Sequence, residues 1–177
     1  VPDNYIRPWS ESCFGSFQTL TSFRQMVISK ANQKDGSKSS IFLARFSKHR
    51  SLENELKLSR IASDEFGFEY LAAEKLSFLD QVNLFHGAER IIGAGGAHMA
   101  NFMFANPDCR IASMTSRHDY DSPVPALMAQ VSEARFLQIV GNPLTSLERC
   151  DSLHQARHSN FEIDTKTFRK VLKNHFN

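Results

Sequence analysis

The fold is decided by the stretch Glu89-Arg90-Ile91-Ile92-Gly93-Ala94-Gly95-Gly96-Ala97-His98-Met99-Ala100-Asn101-Phe102-Met103-Phe104. Its first part is short and apolar, as in a buried strand, its middle is rich in glycine, and its last part predicts an apolar helix. A strand that ends in glycines before a helix leaves the backbone N–H groups of the first helical turn uncovered. Such groups bind anions, most often the phosphates of a nucleotide. A tight turn can also need glycine for packing alone, so both explanations stay open.

Strands and helices alternate along nearly the whole chain. Short apolar runs predict strands at residues 41–46, 68–72, 89–93, 110–114 and 136–140. Helical periodicity predicts helices that begin near Ser16, Ser51, Ser77, Gly96, Ser122 and Asp164, with Ser51, Ser77 and Asp164 as N-caps. This alternation is typical of right-handed βαβ units. We therefore expect an α/β fold: a Rossmann-like, doubly wound, mostly parallel sheet of five or six strands with helices on both faces.

Two parts of the chain lack a clear period. Residues 1–15, which contain two prolines and the single tryptophan, are predicted to form an N-terminal arm. Residues 16–177 then form one Rossmann-like domain, which is long enough to bury a substantial core. Within it, residues 141–163 are polar and are predicted to be irregular. The chain begins with Val1 and not with methionine, as expected for a piece of a longer protein.

The composition argues against several classes of protein. The net charge of +2 and the sequence pI of about 8.5 are too small for a general nucleic-acid-binding surface. No apolar stretch reaches the roughly 18 residues that a transmembrane helix needs, and no signal-peptide pattern is seen. The three cysteines lie far apart and fit neither a disulfide framework nor a zinc site. We therefore expect no metal and no cofactor, and a cytoplasmic location with peripheral membrane attachment as the alternative.

Ligands of parallel sheets bind outside the carboxyl ends of the strands. The segments to consider are therefore residues 45–50, 73–77, 93–98 and 115–121. Arg45 and Arg50 flank the end of the first predicted strand, where a guanidinium group suits bidentate phosphate contact, although such clusters are often only a solvated edge. Glu74 and Ser77 follow the second strand, where ribose or base contacts would fall, but Ser77 is equally explained as a helix cap.

Three further polar residues allow a structural and a functional interpretation. Asn54 and Glu55 lie in the first turn of a predicted helix, where a carboxylate is favoured by the helix dipole in any case. Alternatively, they orient Arg45 or Arg50 through a hydrogen bond. Asn101 lies in a helix that is apolar nearly all round, and a buried amide needs partners. A tie to a neighbouring loop explains Asn101 better than a ligand contact does.

A dinucleotide cofactor is the main competing explanation for the glycines. Its fingerprint would begin at Gly93 and Gly95, but its third glycine falls on His98. No acidic residue ends a following strand at the expected distance of about 20 residues. A dehydrogenase is therefore disfavoured, as is a methyltransferase that uses the same turn.

The order of these motifs resembles glycosyltransferase family 61, the capsular polysaccharide biosynthesis-type transferases. The matching pattern covers residues 41–105 as Arg45…Arg50-x-x-x-Asn54-Glu55, Gly67-Phe68, Glu74-x-Leu76-Ser77-Phe78-x-x-Gln81-x-x-Leu84-Phe85-x-x-Ala88 and Ile91-Ile92-Gly93-x-x-Gly96-Ala97-x-x-x-Asn101-x-x-Phe104. The resemblance implies the carboxyl-terminal, donor-binding half of a GT-B glycosyltransferase. It further implies that the sugar of a nucleotide diphosphate sugar, most readily a UDP-sugar, is transferred to a hydroxyl of a glycan acceptor in polysaccharide or glycan synthesis. The implied transfer inverts the configuration of the sugar and needs no obligatory metal.

The resemblance also implies roles for single residues. Substrate contacts are expected from Arg45, Arg50, Asn54, Glu74, Ser77, Gly93, Gly95, Gly96, Ala97 and Asn101, and catalytic roles from His98 and Glu55. The family usually has a histidine where this chain has Gly95 and a small residue where it has His98. We expect His98 to replace the missing histidine and, near a helix N-terminus, to be neutral at pH 7. Packing of the ring against a backbone carbonyl is the alternative.

The diphosphate is expected to bind the N–H groups of residues 95–97, within reach of Arg45 and Arg50. The catalytic base can come from a second domain or subunit that completes the cleft. A non-catalytic nucleotide-sugar-binding or scaffolding domain of a polysaccharide-assembly system stays open as a different class of function, because the chain is short for a two-domain enzyme.

Overall fold

The sheet has six strands in the order β2-β1-β3-β4-β5-β6. The computed structural model describes residues 16–31, 39–46 and 49–176, so the predicted arm lies outside the described residues. The strands are β1 Ser39–Leu43, β2 Glu69–Leu71, β3 Ala88–Ala94, β4 Arg110–Ser116, β5 Arg135–Pro143 and β6 Phe161–Glu162. Strands β1 to β5 are parallel, and β6 pairs antiparallel with β5. The predicted mostly parallel α/β sheet is confirmed.

Helices cover both faces of this sheet. They are α1 Phe17–Ile28, α2 Glu55–Phe66, α3 Phe78–Gly87, α4 Val124–Val131, α5 Leu153–Arg157 and α6 Thr165–His175, with 3₁₀ segments at Ala73–Lys75, Ala97–Phe104 and Leu147–Arg149. Ile91 and Ile92 of β3 point to opposite faces and belong to two separate cores. Phe85 of α3 lies in the first core, whereas Leu58 of α2 and Phe168 of α6 lie in the second. The doubly wound arrangement is therefore confirmed.

Two of the three predicted N-caps are confirmed. The side chains of Ser77 and Asp164 each accept a hydrogen bond from the backbone N–H three residues later. The prediction for Ser51 is wrong, because α2 begins only after Asn54. Ser51 is instead engaged with the other end of the chain, since its carbonyl accepts the Phe161 N–H at 3.0 Å. This long-range bond keeps residues 51–54 out of the helix.

The helix after the glycine turn is a 3₁₀ helix and not the predicted α-helix. A 3₁₀ helix has three residues per turn, so side chains three positions apart lie in line. Met99, Phe102 and Ala105 have this spacing and are 1%, 0% and 0% exposed. Met103 and Phe104 are buried as well, so the segment packs into the core along more than one row of side chains.

Residues 141–163 are less irregular than predicted, because they contain the end of β5, α5 and β6. Strand β6 crosses β5 closely at Gly141. A Cβ atom on Gly141 would lie 2.5 Å from the Glu162 carbonyl oxygen and 2.8 Å from Cδ2 of Phe161. The missing side chain at this position is what allows the antiparallel strand to pack there.

The longest helices of the described ranges, α1 and α2, have 12 residues each. None of the helices in that part of the chain is long and apolar enough to cross a membrane.

Candidate functional site

A small cleft lies at the carboxyl ends of β1, β3 and β4. It is lined by Arg45, Arg50, Gly95, Met114, Thr115, Ser116, Asp119 and Phe161. The sheet places these segments side by side, because Gly93 of β3 pairs with Leu43 of β1 and with Ser113 of β4. The predicted proximity of Arg45 and Arg50 to the glycine turn is therefore observed, although about fifty residues separate them in sequence.

The three glycines of the turn have different structural reasons for the absence of a side chain. A Cβ atom on Gly93 would lie 2.9 Å from Cβ of Leu43, so the pairing of β1 with β3 needs glycine there. A Cβ atom on Gly96 would lie 3.0 Å from Cε1 of His98 and 3.6 Å from Cζ of Arg45. On Gly95 it would meet only the Met114 carbonyl oxygen, at an ordinary 3.6 Å. Packing thus explains two glycines and leaves Gly95, which lines the cleft, without a steric reason.

The backbone N–H groups of the turn are only partly available. The Gly95 N–H donates to the Met114 carbonyl at 2.8 Å, so it already has an acceptor within the protein, and its contact with a diphosphate stays a prediction. The bond continues the ladder between β3 and β4 by one residue. The N–H groups of Gly96 and Ala97 have no acceptor within the described ranges, and their binding of an anion stays a prediction.

Arg45 brings a partly satisfied guanidinium group to the turn. Its Nη2 donates to the His49 carbonyl at 2.9 Å, whereas Nη1 is buried and has no partner among the residues that the structure describes. Burial, and next the positive charge of Arg50, lower the pKa of Arg45 to about 10, so it remains a cation at neutral pH. A buried donor without a partner carries a desolvation cost of about 1–3 kcal/mol, which a bound anion would remove.

Arg50 forms the second cationic wall of the cleft. It has a left-handed backbone with φ of 55°, and its N–H donates to the His158 carbonyl. Its Nη1 contacts Oδ2 of Asp119 at 3.3 Å, and Nε is buried without a partner in the described part of the chain. Two guanidinium groups therefore face one carboxylate in the cleft, and the excess charge is positive.

Glu55 is buried behind Arg45, with 8% of its surface exposed. Its Oε1 accepts hydrogen bonds from the Arg45 backbone N–H at 3.1 Å and from the Tyr70 hydroxyl at 2.8 Å. The sequence predicts that the first strand extends to residue 46. The bond between Glu55 and the Arg45 N–H explains why β1 ends at Leu43 instead. Burial raises the pKa of Glu55, and the two bonds oppose this rise. The carboxylate thus orients Arg45 through the backbone, one of the two alternatives that the sequence left open.

His98 packs against the glycine turn. Its ring occupies the space that side chains at Gly93 and Gly96 would fill, and its Nε2 is buried without a partner among the described residues. Burial, and next the charge of Arg45, lower the pKa of His98 to about 4, while a bond to the Ala94 carbonyl opposes the shift. His98 is neutral at pH 7 as predicted, but burial and not the helix dipole is the main cause. Its catalytic role stays a prediction, with Nε2 closed off from solvent in this conformation.

Three of the four other predicted residues have partners within the protein. Both ends of the Asn54 amide bond to the backbone of Ile163, which ties α2 to the end of β6. The Asn101 amide donates to Oε1 of Gln81 in α3 at 2.7 Å. The Ser77 hydroxyl bonds to the Asp80 carboxylate at 2.6 Å, and Glu74 is exposed. Asn54, Glu74, Ser77 and Asn101 do not line the cleft, and their substrate contacts stay predictions.

The sequence does not predict the contribution of Phe161 to the cleft. The pattern that could have revealed its strand is short. Phe161 and Ile163 are buried and Glu162 between them is exposed, which is the alternation of a strand. Only three residues carry this pattern, inside a polar segment. Asp119, by contrast, lies in the segment 115–121 that the position after β4 singles out.

A larger groove, with a cavity volume of about 580 Å³, lies between α2 and α6. Its charged side chains belong to both helices, and Arg169 and Glu65 pair across it at 2.6 Å. Neither Arg45, nor Arg50, nor any residue of the glycine turn lines this groove, so we assign the site to the smaller cleft. In the described ranges, no three His, Cys, Asp or Glu side chains converge as metal ligands do.

Two comparisons with known proteins bear on this site. A family model described as Glycosyltransferase 61 matches residues 6–112, about 60% of the 177 residues. The match includes Arg45, Arg50, Glu55 and the glycine turn, and ends before Asp119. No curated protein matches the sequence.

Proposed function

This chain belongs to glycosyltransferase family 61, and we propose that its cleft binds the diphosphate of a nucleotide sugar, most readily a UDP-sugar, for transfer of the sugar to a hydroxyl of a glycan acceptor. The observation that carries the proposal is the position of Arg45. Its Nη1 is buried beside the glycine turn and has no partner in the described part of the chain. A diphosphate has the charge and the oxygen atoms to satisfy it, once the cleft opens enough to uncover this atom, which is closed off from solvent as Nε2 of His98 is.

The surrounding groups support the same ligand. Arg50 adds a second guanidinium group to the cleft. Gly96 and Ala97, which follow Gly95 in the turn, add backbone N–H groups that have no acceptor within the described ranges. Gly95 leaves the adjacent backbone open to a close approach. Planar guanidinium forks and bare N–H groups are the usual phosphate ligands of proteins. By contrast, a dinucleotide site of the common kind needs a glycine where this chain has His98.

The proposed transfer breaks one bond and makes another. The acceptor oxygen attacks the anomeric carbon from the side opposite the diphosphate, which inverts the configuration. The bond between that carbon and the β-phosphate oxygen breaks, and its electron pair leaves with the nucleoside diphosphate. Arg45 and Arg50 would stabilise the charge that develops there. The acceptor proton goes to a general base.

A specific observation favours a second candidate, a donor-binding domain that does not catalyse by itself. Neither candidate base is available to an acceptor in this conformation. Oε1 of Glu55 accepts two hydrogen bonds, and Nε2 of His98 is closed off from solvent. In that case a second domain or subunit supplies the base. A cytoplasmic location and a role in polysaccharide synthesis are further parts of the proposal.

Calorimetric titration distinguishes these functions. UDP-glucose, GDP-mannose, a CMP-sugar, NAD and S-adenosylmethionine are titrated into the protein separately. The proposal expects binding of UDP-glucose or GDP-mannose, which carry a diphosphate, with the CMP-sugar, NAD and S-adenosylmethionine inactive. Release of nucleoside diphosphate in the presence of a glycan acceptor then separates a transferase from a domain that only binds. Binding of NAD or S-adenosylmethionine alone would contradict the proposal.

A further inference from the structure

We infer that Tyr70 is a positioning residue: its hydroxyl holds the Glu55 carboxylate, which fixes the backbone of Arg45 so that the guanidinium group lies at the glycine turn. The functional consequence of this inference rests on the proposed nucleotide-sugar site. The positional part rests only on contacts within the protein and can be tested without a ligand.

A continuous chain of contacts leads from β2 to the cleft. Tyr70 lies in the middle of β2, at the edge of the sheet, and is paired with Phe42 of β1. Its hydroxyl donates to Oε1 of Glu55 at 2.8 Å. The same oxygen accepts the Arg45 N–H at 3.1 Å. Because Glu55 is the first residue of α2, its carboxylate joins a strand, a helix and the loop that carries Arg45.

The position of Arg45 depends on few other contacts. The preceding residue, Ala44, still bonds to the Leu71 carbonyl at 2.8 Å, and Arg45 is the first residue whose N–H leaves the sheet. Its side chain is held by the His49 carbonyl. Without the carboxylate, the Arg45 N–H would be left unpaired in a partly buried position, where an unmade bond is unfavourable. The loop would then move to satisfy it, and the guanidinium group would move with it.

The hydroxyl of Tyr70, and not its ring, makes the contact that holds Glu55. Its ring has a separate packing role, because it contacts the ring of Phe42 with centroids 5.6 Å apart. The variant Tyr70→Phe removes the hydroxyl and keeps the ring. Phe42→Leu is the matched control, because it disturbs the packing beside Tyr70 and leaves all three hydrogen-bonding groups in place.

His98 reports the position of Arg45 without any ligand. The charge of Arg45 is the second cause of the low pKa of His98, after burial. If the guanidinium group leaves the glycine turn, the pKa of His98 should rise from about 4 towards the ordinary histidine value. Loss of the negative charge of Glu55 alone would lower the pKa of His98. A rise in this pKa therefore identifies a displaced Arg45.

The test follows the imidazole signal of His98 by NMR between pH 7.5 and 5.0, with His98→Gln used to assign the signal. We expect the signal to move further in Tyr70→Phe than in the parent protein, and equally in Phe42→Leu and the parent. We also expect Tyr70→Phe to weaken UDP-glucose binding by roughly threefold to tenfold, the loss of about one hydrogen bond. If Tyr70→Phe does not fold, Glu55→Ala removes the acceptor of the Arg45 N–H, and it should raise the pKa of His98 although loss of the charge alone would lower it.

The outcomes are distinct. An unchanged His98 titration in Tyr70→Phe would overturn the inference, and so would an equal change in Phe42→Leu, which would show a packing role only. If the parent protein fails to bind UDP-glucose, the proposed function fails, while the His98 titration still decides whether Tyr70 positions Arg45.

Discussion

Replacing Gly95 by alanine should weaken nucleotide-sugar binding without weakening the fold. The nearest atom to the added methyl group is the Met114 carbonyl oxygen at 3.6 Å, an ordinary contact, and the backbone of Gly95 does not have positive φ. Alanine in a compatible conformation usually stabilises by about 0.4–1 kcal/mol through the unfolded chain. The same methyl group would protrude into the cleft where the diphosphate must approach. We expect at least a roughly tenfold loss of affinity, or about 1.4 kcal/mol.

Gly96→Ala is the matched comparison and should behave in the opposite way. Its methyl group would lie 3.0 Å and 3.1 Å from Cε1 and Nδ1 of His98, so the ring must move. Such overpacking costs about 1–3 kcal/mol, and each kcal/mol lowers the melting temperature by about 2–4 °C for a chain of this size.

Differential scanning calorimetry and titration with UDP-glucose test both glycine variants. The steric reasoning is refuted if Gly95→Ala melts as far below the parent protein as Gly96→Ala does. The ligand assignment is refuted if Gly95→Ala binds UDP-glucose as tightly as the parent.

Two further predictions concern stability. Gly141→Ala should prevent folding or cost several kcal/mol of stability, because its Cβ atom would overlap the Glu162 carbonyl oxygen at 2.5 Å. Gly87→Ala, with no atom within 4 Å of its Cβ, is the control and should leave the melting temperature unchanged or higher. Equal melting temperatures of the two variants would contradict this prediction. Burial lowers the pKa of His98 in the folded protein to about 4, from an ordinary value of about 6.5, so the unfolded state binds more protons between these values. Its contribution to stability should be complete above about pH 6.5 and fall by up to about 3 kcal/mol towards pH 4. Urea unfolding at pH 7.5 and 5.0 checks this, and an equal acid loss in His98→Gln would contradict it.

The fold and the position of the site could be predicted from local patterns. Apolar runs alternating with amphipathic periods predict a parallel sheet, and the carboxyl ends of neighbouring parallel strands meet at one edge. That rule places Arg45 and Arg50 beside the glycine turn. It depends only on strand order, which βαβ handedness largely determines.

The details that depend on long-range pairing could not be predicted. Ser51 has the residue type and position of an N-cap, but its carbonyl bonds to Phe161, about 110 residues away. The bond between Glu55 and the Arg45 backbone spans only ten residues, and the sequence offers it as one of two alternatives, but residue types alone do not choose between them.

The individual roles of the glycines also lie outside the sequence pattern. Gly93, Gly95 and Gly96 are alike in sequence, yet one is explained by strand pairing, one by the His98 ring and one by neither. Only the atoms opposite each missing Cβ distinguish them.

The central claim is that Arg45 and the glycine turn form the nucleotide-sugar site. It is tested most directly by titrating UDP-glucose into the parent protein, Arg45→Met and Arg60→Met, with unfolding curves to confirm that all three are folded. Arg60 lines the larger groove between α2 and α6, so its variant removes the same charge away from the cleft. The account predicts that Arg45→Met weakens binding by at least about tenfold, since a charged hydrogen bond contributes about 1.5–3 kcal/mol, and that Arg60→Met binds as the parent does. Unchanged affinity in Arg45→Met, or a loss confined to Arg60→Met, would contradict it.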